Sequence, residues 1–372
     1  MIYLDYAATT PMLDESIDAY CIASKEVFGN ASSLHDAGGQ AALLLENSRD
    51  VIAEKMGVPR DGVIFTGGGT EGNILAILSL ARAGKGKHII TSMAEHTSIH
   101  AAMNTLEREG YEITRLPLAE KGIIDLDLLK KSIRPDTALI SIQHVNSEIG
   151  IIQPVLEIAK VAQTYNIPYH VDCVQSFCKL DISEFSSYVD AITVSAHKIG
   201  GPKGCGAVYL NPRRRILPLY PGITHERGLR GGTVDTPAIY AFAKSVEHFK
   251  YDLNQYWKLR IQLKEAIQET CCYFIESDEA HQLPSICGLC MKGAEGQYVM
   301  LRLNEKGICI STGSACDIHS KSGTKAMLAM GRSLQEARTF FRISFGIHTK
   351  EDDIQKLSTA LFELNREIKT MK

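Results

Sequence analysis

Short apolar runs alternate with segments of helical spacing through the first two thirds of the chain. Strand-like runs fall near 62–66, 88–92, 113–117, 138–145, 168–173, 190–195 and 206–210. Between them, apolar positions recurring every three to four residues predict helices over about 70–82, 97–109, 125–133 and 154–165. This alternation predicts an α/β fold, a three-layer αβα domain around a mostly parallel seven-stranded sheet. Ligands of such sheets gather at the carboxyl ends of strands, and the polar motifs of this chain follow directly on its strand runs.

Thr236-Pro237 reads as a helix start, with proline tolerated in the first turn. From there one helical pattern runs to about Thr270, long enough to bridge two domains. Strands are predicted near 285–291 and 340–345, and a helix from about 351. The chain therefore divides into a large domain over 14–250 and a smaller α+β domain made of 1–13 and 251–372. No internal repeat or low-complexity segment interrupts it.

The lysine loop Ser195-Ala196-His197-Lys198-Ile199-Gly200-Gly201-Pro202-Lys203-Gly204 sits between two strand runs. An amine at the mouth of a strand, beside flexible glycines and phosphate-binding side chains, suits a lysine that forms a Schiff base. Gly67-Gly68-Gly69-Thr70 follows a strand and opens a helix. Glycines there permit close backbone approach, and the helix start offers free N–H groups to a phosphate. A plain glycine turn capped by Thr70 is the other reading of that segment. Asp172, closing the run 168–171, could keep a pyridine nitrogen protonated or simply cap a turn. His96 lies just past the strand 88–92. Arg342 interrupts an apolar strand, where a guanidinium is costly unless it meets a carboxylate. Cys316 stands among small and polar residues, which suits a mobile thiol better than a packed one.

Composition narrows the setting. With 372 residues, 45% hydrophobic and 22% charged, the chain has the makings of a substantial core. A net charge of −3 gives no case for nucleic acid as the main ligand. The start, Met1-Ile2-Tyr3-Leu4-Asp5, lacks the basic and apolar regions of a signal peptide. No apolar run approaches the ~20 residues of a membrane span. Cytoplasm is the expected compartment, and the ten cysteines are expected to be reduced. Cys287 and Cys290 have redox or half-zinc spacing, but no second pair lies at a finger-like distance, so no metal is expected.

Taken in order, Leu4-Asp5-Tyr6-Ala7-Ala8-Thr9-Thr10-Pro11, Gly67-Gly68-Gly69-Thr70-Glu71, Val145-Asn146-Ser147-Glu148-Ile149-Gly150, His170-Val171-Asp172-Cys173-Val174-Gln175-Ser176, the Lys198 loop and Gly313-Ser314-Ala315-Cys316 form a set. In order and spacing the set resembles the cysteine desulfurases of the NifS/IscS type, class V aminotransferases that use pyridoxal 5'-phosphate on a type I fold. The resemblance runs from residue 2 to at least Gly346. It implies that Lys198 tethers the cofactor, that Gly69, Thr70, Ser195 and His197 hold its phosphate, and that Thr233 serves the neighbouring subunit of a homodimer. It further implies Asp172 at the ring nitrogen, Gln175 at the ring phenolate, His96 stacked on the ring for acid–base work, and Asn146 near ring and substrate. Arg342 would grip the carboxylate of L-cysteine, and Cys316 would take its sulfur as a persulfide for an acceptor protein.

The chain departs from the family pattern at Ala31, where the family has proline, at Ser147, where it has a second asparagine, at Lys321-Ser322-Gly323-Thr324 and at Pro221-Gly222-Ile223-Thr224-His225. None of these removes a catalytic group; they bear on which acceptor docks. A selenocysteine lyase, another class V aminotransferase, or a non-catalytic sulfur-transfer scaffold are the competing readings. The Gly-Ser-Ala-Cys motif argues against a plain aminotransferase, and intact Lys198, Asp172, His96 and Cys316 argue against a scaffold.

Overall fold

A computed structural model describes residues 1–313 and 324–370. Its main sheet has seven strands, in spatial order Val63–Thr66, Gly206–Leu210, Ala191–Ser195, Tyr169–Asp172, Thr137–Ser141, His88–Ser92 and Glu112–Leu116. Gly206–Leu210 runs antiparallel to both its neighbours, and all other pairs are parallel. Side-chain alternation along the strands feeds two separate cores. Ile64, Ile89, Leu139 and Val208 pack under the helices Gly69–Ala83 and Thr97–Arg108. Phe65, Ile90, Ile140 and Val171 face the other way, onto the helices Asp36–Met56, Val155–Thr164 and Thr236–His248. The three layers anticipated from the pattern are present.

Two helices, Asp14–Glu26 and Asp36–Met56, have no counterpart in the apolar pattern. The first buries Ser16, Ala19 and Ala23 against Thr236–His248, so small side chains carry its packing face. The long helix expected from Thr236 to about Thr270 is two helices, Thr236–His248 and Leu253–Ala266. The break has a local cause. Asp252 accepts hydrogen bonds from Asn254 N at 3.0 Å and Gln255 N at 3.2 Å, which starts a fresh helix.

A second sheet of three antiparallel strands, Phe340–Ser344, Ile286–Met291 and Cys272–Ile275, lies under the helix Glu351–Thr370. Leu289, Phe341, Ile343, Leu357 and Leu361 form its core, and the N-terminal Leu4 is buried in the same cluster. Ile2–Tyr3 pairs with Ile308–Cys309, and Ser344 N donates to Leu4 O at 2.8 Å. The first residues of the chain are thereby stitched to its last third. They reach the carboxyl ends of the main sheet from above, and a cavity lies between.

Candidate active site

The cavity encloses about 410 Å³. Its floor comes from the main sheet and the turns that follow its strands: His96, Asp172, Gln175, Ser195, His197 and Lys198 all line it. Lys198 closes the single turn Ala196–Lys198 that follows the strand Ala191–Ser195. Its Nζ donates to Ala7 O at 2.5 Å and to Ala8 O at 2.7 Å, so the N-terminal segment folds over the amine. Gly200, at φ 76°, turns the chain out again; a Cβ there would come within 2.5 Å of Leu13 Cγ.

Asp172 ends its strand with both carboxylate oxygens engaged: Oδ1 accepts from Val174 N at 2.9 Å and Oδ2 from Asn73 Nδ2 at 2.8 Å. Gln175 donates from Nε2 to Ala7 O at 2.8 Å, and its Oε1 accepts from Lys179 Nζ at 3.4 Å. An acceptor at one end and a donor-only ammonium at the other fix the amide's orientation. Burial draws the Lys179 pKa down to about 8. His96 caps the helix Thr97–Arg108 and is pushed below the ordinary histidine range, first by burial and then by Lys198 and Lys325, with Asp172 opposing. His197 lies within 3.2 Å of Thr9 Oγ1, and burial lowers it to about 4, so the ring is neutral at pH 7.

One end of the cavity is shaped for an anion. Gly68 sits at φ 133°, a conformation that side chains resist, and leads straight into the 15-residue helix Gly69–Ala83. A Cβ on Gly69 would lie 2.7 Å from Val174 Cγ2, and one on Gly206 would lie 2.8 Å from Gly68 Cα. Backbone N–H groups at the helix start can therefore approach a ligand closely. Ser195 Oγ, on the same wall, is buried without a hydrogen-bond partner among the described residues.

The roof comes from the smaller sheet and the chain ends. Arg342 donates from Nη2 to Asp5 Oδ1 at 2.7 Å and from Nη1 to Ser147 O at 2.8 Å, while its Nε is buried and unpartnered among the described residues. The carboxylate that permits this burial is Asp5, part of the first sequence motif but given no role there. Glu148, whose pKa burial raises, accepts from Thr324 Oγ1 and, at 2.8 Å, from Ala326 N. Cys316 lies outside the described residues. The described residues that flank it do not: Gly313 lines the cavity, and Thr324 is held by Glu148, which lines it too.

Residues 2–357 match the aminotransferase class-V family. The chain is 43% identical to NifS of Bacillus subtilis (strain 168), over 96% of this chain and 93% of that one. It is 35% identical to the cysteine desulfurase IscS of Dictyoglomus turgidum, over 100% and 96%. Among solved structures, a NifS-like protein superposes with a TM-score of 0.90 at 28% identity, covering 98% of each chain. SspA, solved in complex with cysteine, superposes at 0.83 with 34% identity, over 93% of this chain and 99% of that one. The chain belongs to the class V aminotransferases, in their NifS/IscS branch. The cofactor of that family is pyridoxal phosphate, and the cavity fits it. The helix start and the orphaned Ser195 hydroxyl suit its phosphate, Asp172 suits its ring nitrogen, and Lys198 suits its aldehyde.

Two residues anticipated at the site are not among those lining it. Asn146 is buried beside it with its amide spent on backbone: Nδ2 donates to Ala94 O at 3.0 Å, and Oδ1 accepts from Glu148 N at 2.9 Å and Ile149 N at 3.0 Å. Thr233 is exposed on the surface of this copy. Cys287 and Cys290, three apart on one strand, point to opposite faces, one into the core with Leu289 and the other toward Ile149 and Phe340. They cannot act as a redox pair. Among the described residues no His, Cys, Asp and Glu cluster could hold a metal ion, and no helix is long and apolar enough to cross a membrane.

Sequence reasoning gave no role to Asn73, Asp5, Glu95 or Lys325, all of which line the cavity. Glu95 is buried beside His96; its Oε1 takes Ser92 Oγ at 2.5 Å, and burial lifts its pKa to about 8. Its position before His96 was visible, but burial was not.

Proposed function

We propose that this chain converts L-cysteine to L-alanine and transfers the sulfur to Cys316 as a persulfide. The observation that carries this reading is convergence: Lys198, Asp172, His96, Arg342 and a residue flanking Cys316 line one cavity. The solved relative SspA holds cysteine. Pyridoxal phosphate, bound through Lys198, supplies the electron sink that weakens bonds at the substrate Cα. Gly69, Thr70, Ser195 and His197 would hold its phosphate, with Thr233 contributed by the neighbouring copy of a homodimer. Asp172 would keep a proton on the ring nitrogen, Gln175 would donate toward the phenolate, and His96 would lie beside the ring for acid–base work. Lys198 carries the Cα proton. Arg342, fixed by Asp5, would meet the substrate carboxylate through its guanidinium, whose Nε has no partner among the described residues. Asn146 acts from behind, holding the turn whose Ser147 carbonyl anchors Arg342.

The Cys316 thiolate attacks the substrate sulfur. An S–S bond forms and the C–S bond breaks; carbon keeps the electron pair and is then protonated, so cysteine plus thiol gives alanine plus persulfide with no outside oxidant. The large domain over 14–250 carries the cofactor, and the small domain, 1–13 with 251–372, brings the thiol. The persulfide goes on to an acceptor protein, for iron–sulfur assembly, tRNA thiolation or a similar use, in the cytoplasm.

The test is to incubate purified protein with L-cysteine and follow alanine and protein-bound persulfide. Wild type should form both and show a visible cofactor band. Lys198→Ala should lose turnover and the normal band; Cys316→Ala should keep the band and form no persulfide. A Cys316→Ala variant that still makes persulfide and sulfide at the normal rate would overturn the role given to that thiol.

A further inference from the structure

The polar groups beneath His96 form a chain with a defined direction. Asn73, on the helix Gly69–Ala83, is buried, and its Nδ2 donates to Asp172 Oδ2 at 2.8 Å and to Ser98 Oγ at 3.0 Å. A carboxylate only accepts, so the amide nitrogen must be the end facing Asp172. Ser98 Oγ therefore spends a lone pair on Asn73, and its own hydrogen is left for His96 Nδ1, 2.8 Å away. The Ser98 backbone N–H points at the same ring nitrogen, at 3.2 Å. Two donors converge on Nδ1. That nitrogen can only be the bare, accepting one, and the proton of the neutral ring resides on Nε2.

We infer that Asn73 and Ser98 are positioning residues that lock His96 in its Nε2–H tautomer, with the ring tied through Ser98 and Asn73 to the Asp172 carboxylate. The consequence deepens the function proposed above. Toward the cavity, His96 presents a hydrogen-bond donor and proton source rather than a base. The Cα proton is thereby left to Lys198, and His96 is suited to an anionic atom such as the substrate sulfur or carboxylate. The charged and titratable groups around the ring agree. Burial first, and then Lys198 and Lys325, disfavour a second proton on it, with Asp172 opposing them. The ring stays neutral, and the hydrogen-bond chain decides which nitrogen is protonated.

The tautomer can be read without turnover. Cofactor-free protein labelled with 15N-histidine gives long-range proton–nitrogen correlations that separate a protonated from a bare ring nitrogen, with His96→Gln assigning the signal. Wild type should show Nε2 protonated and Nδ1 bare at pH 7.5. Ser98→Ala and Asn73→Ala should give a mixture of tautomers and, in loaded enzyme, a fall in kcat of about tenfold with KM for cysteine little changed. Ser98→Thr, which keeps the hydroxyl, should restore both. If Asn73→Ala does not fold, the Ser98 pair decides alone. A wild-type His96 protonated on Nδ1, or variants that keep one tautomer and the full rate, would overturn the inference. Absence of alanine formation in wild type would instead sink the proposed function and leave the tautomer standing.

Discussion

The two sheets meet the cavity in opposite ways. The seven-stranded sheet brings a dense layer of buried polar groups to its carboxyl ends. Asp172 is bound by Asn73, and one layer below it His170 sits between Ser141 Oγ at 2.9 Å and Thr193 Oγ1 at 3.0 Å. The three-stranded sheet reaches the cavity through one functional side chain, Arg342, set between the fully buried apolar Phe341 and Ile343. In the first sheet, position is fixed by hydrogen bonds, each of which requires its neighbours. In the second, apolar packing fixes most positions, and the buried cations Arg342 and Arg260 are each held by a carboxylate and a backbone carbonyl. Substitutions should separate along this line, chemistry failing first in one sheet and stability in the other.

The largest effect should come from emptying the apolar side. Phe341→Ala removes a side chain with no exposure and should cost about 3–5 kcal/mol in urea denaturation, while the cofactor band of the loaded protein keeps its wavelength. A variant as stable as wild type would show that packing does not hold this sheet, and the comparison would fall.

Acid should find the polar side. Burial drives His144 and His170 to about 3, far below the ordinary histidine value. In the unfolded chain these rings take up protons near 6.5, and in the folded chain they do not until about 3. The unfolded state thus binds more protons over that window, and stability falls as pH drops from 6.5 toward 3. The buried histidines among the described residues, His88, His144 and His170, all lie on or just after strands of the seven-stranded sheet. Urea midpoints measured from pH 7.5 to 4.5 should therefore decline, and His170→Gln should flatten the decline. An unchanged slope in that variant would move the acid sensitivity elsewhere.

The same contrast explains what could be read from the chain. The strand runs near 88–92 and 206–210 coincide with the observed strands, because strands covered on both faces are written as nearly continuous apolar and β-branched runs, whichever way they point. The helix Asp14–Glu26 carried no apolar signal because serine and alanine make up its buried face, and in Asp36–Met56 the buried Leu45, Ile52 and Met56 are interspersed with Gly38, Ser48 and Arg49. At the site, motifs that end strands located Asp172, Ser195 and Lys198, since a strand end fixes where a side chain emerges. Asn73 could not be recognised in this way. It sits mid-helix, and only folding brings it to Asp172, 99 residues away. Arg342 was legible as a misplaced charge, but nothing in the sequence ties it to Asp5, which lies 337 residues away in the first motif.

Glu95 gives the finest probe of the polar side, because there a buried carboxyl is held at a cost. Its environment supplies Ser92 Oγ and the Gln143 N–H, at 2.5 and 3.1 Å, but burial outweighs them, and nearby Asp172 adds to the upward push. In the unfolded chain it ionises near 4.5, whereas in the folded protein it keeps its proton to about 8. Its contribution is neutral below 4.5 and grows more unfavourable as pH rises through that interval. Glu95→Gln keeps the shape and an acceptor for Gln143 N but cannot ionise. It should match wild type in stability at pH 4.5 and exceed it by about 1–2 kcal/mol at pH 8. Equal stability at both values would mean that Glu95 is stabilised as an anion by groups outside this network. The layer would then hold charge beside His96, and the contrast drawn between the two sheets would narrow to their packing alone.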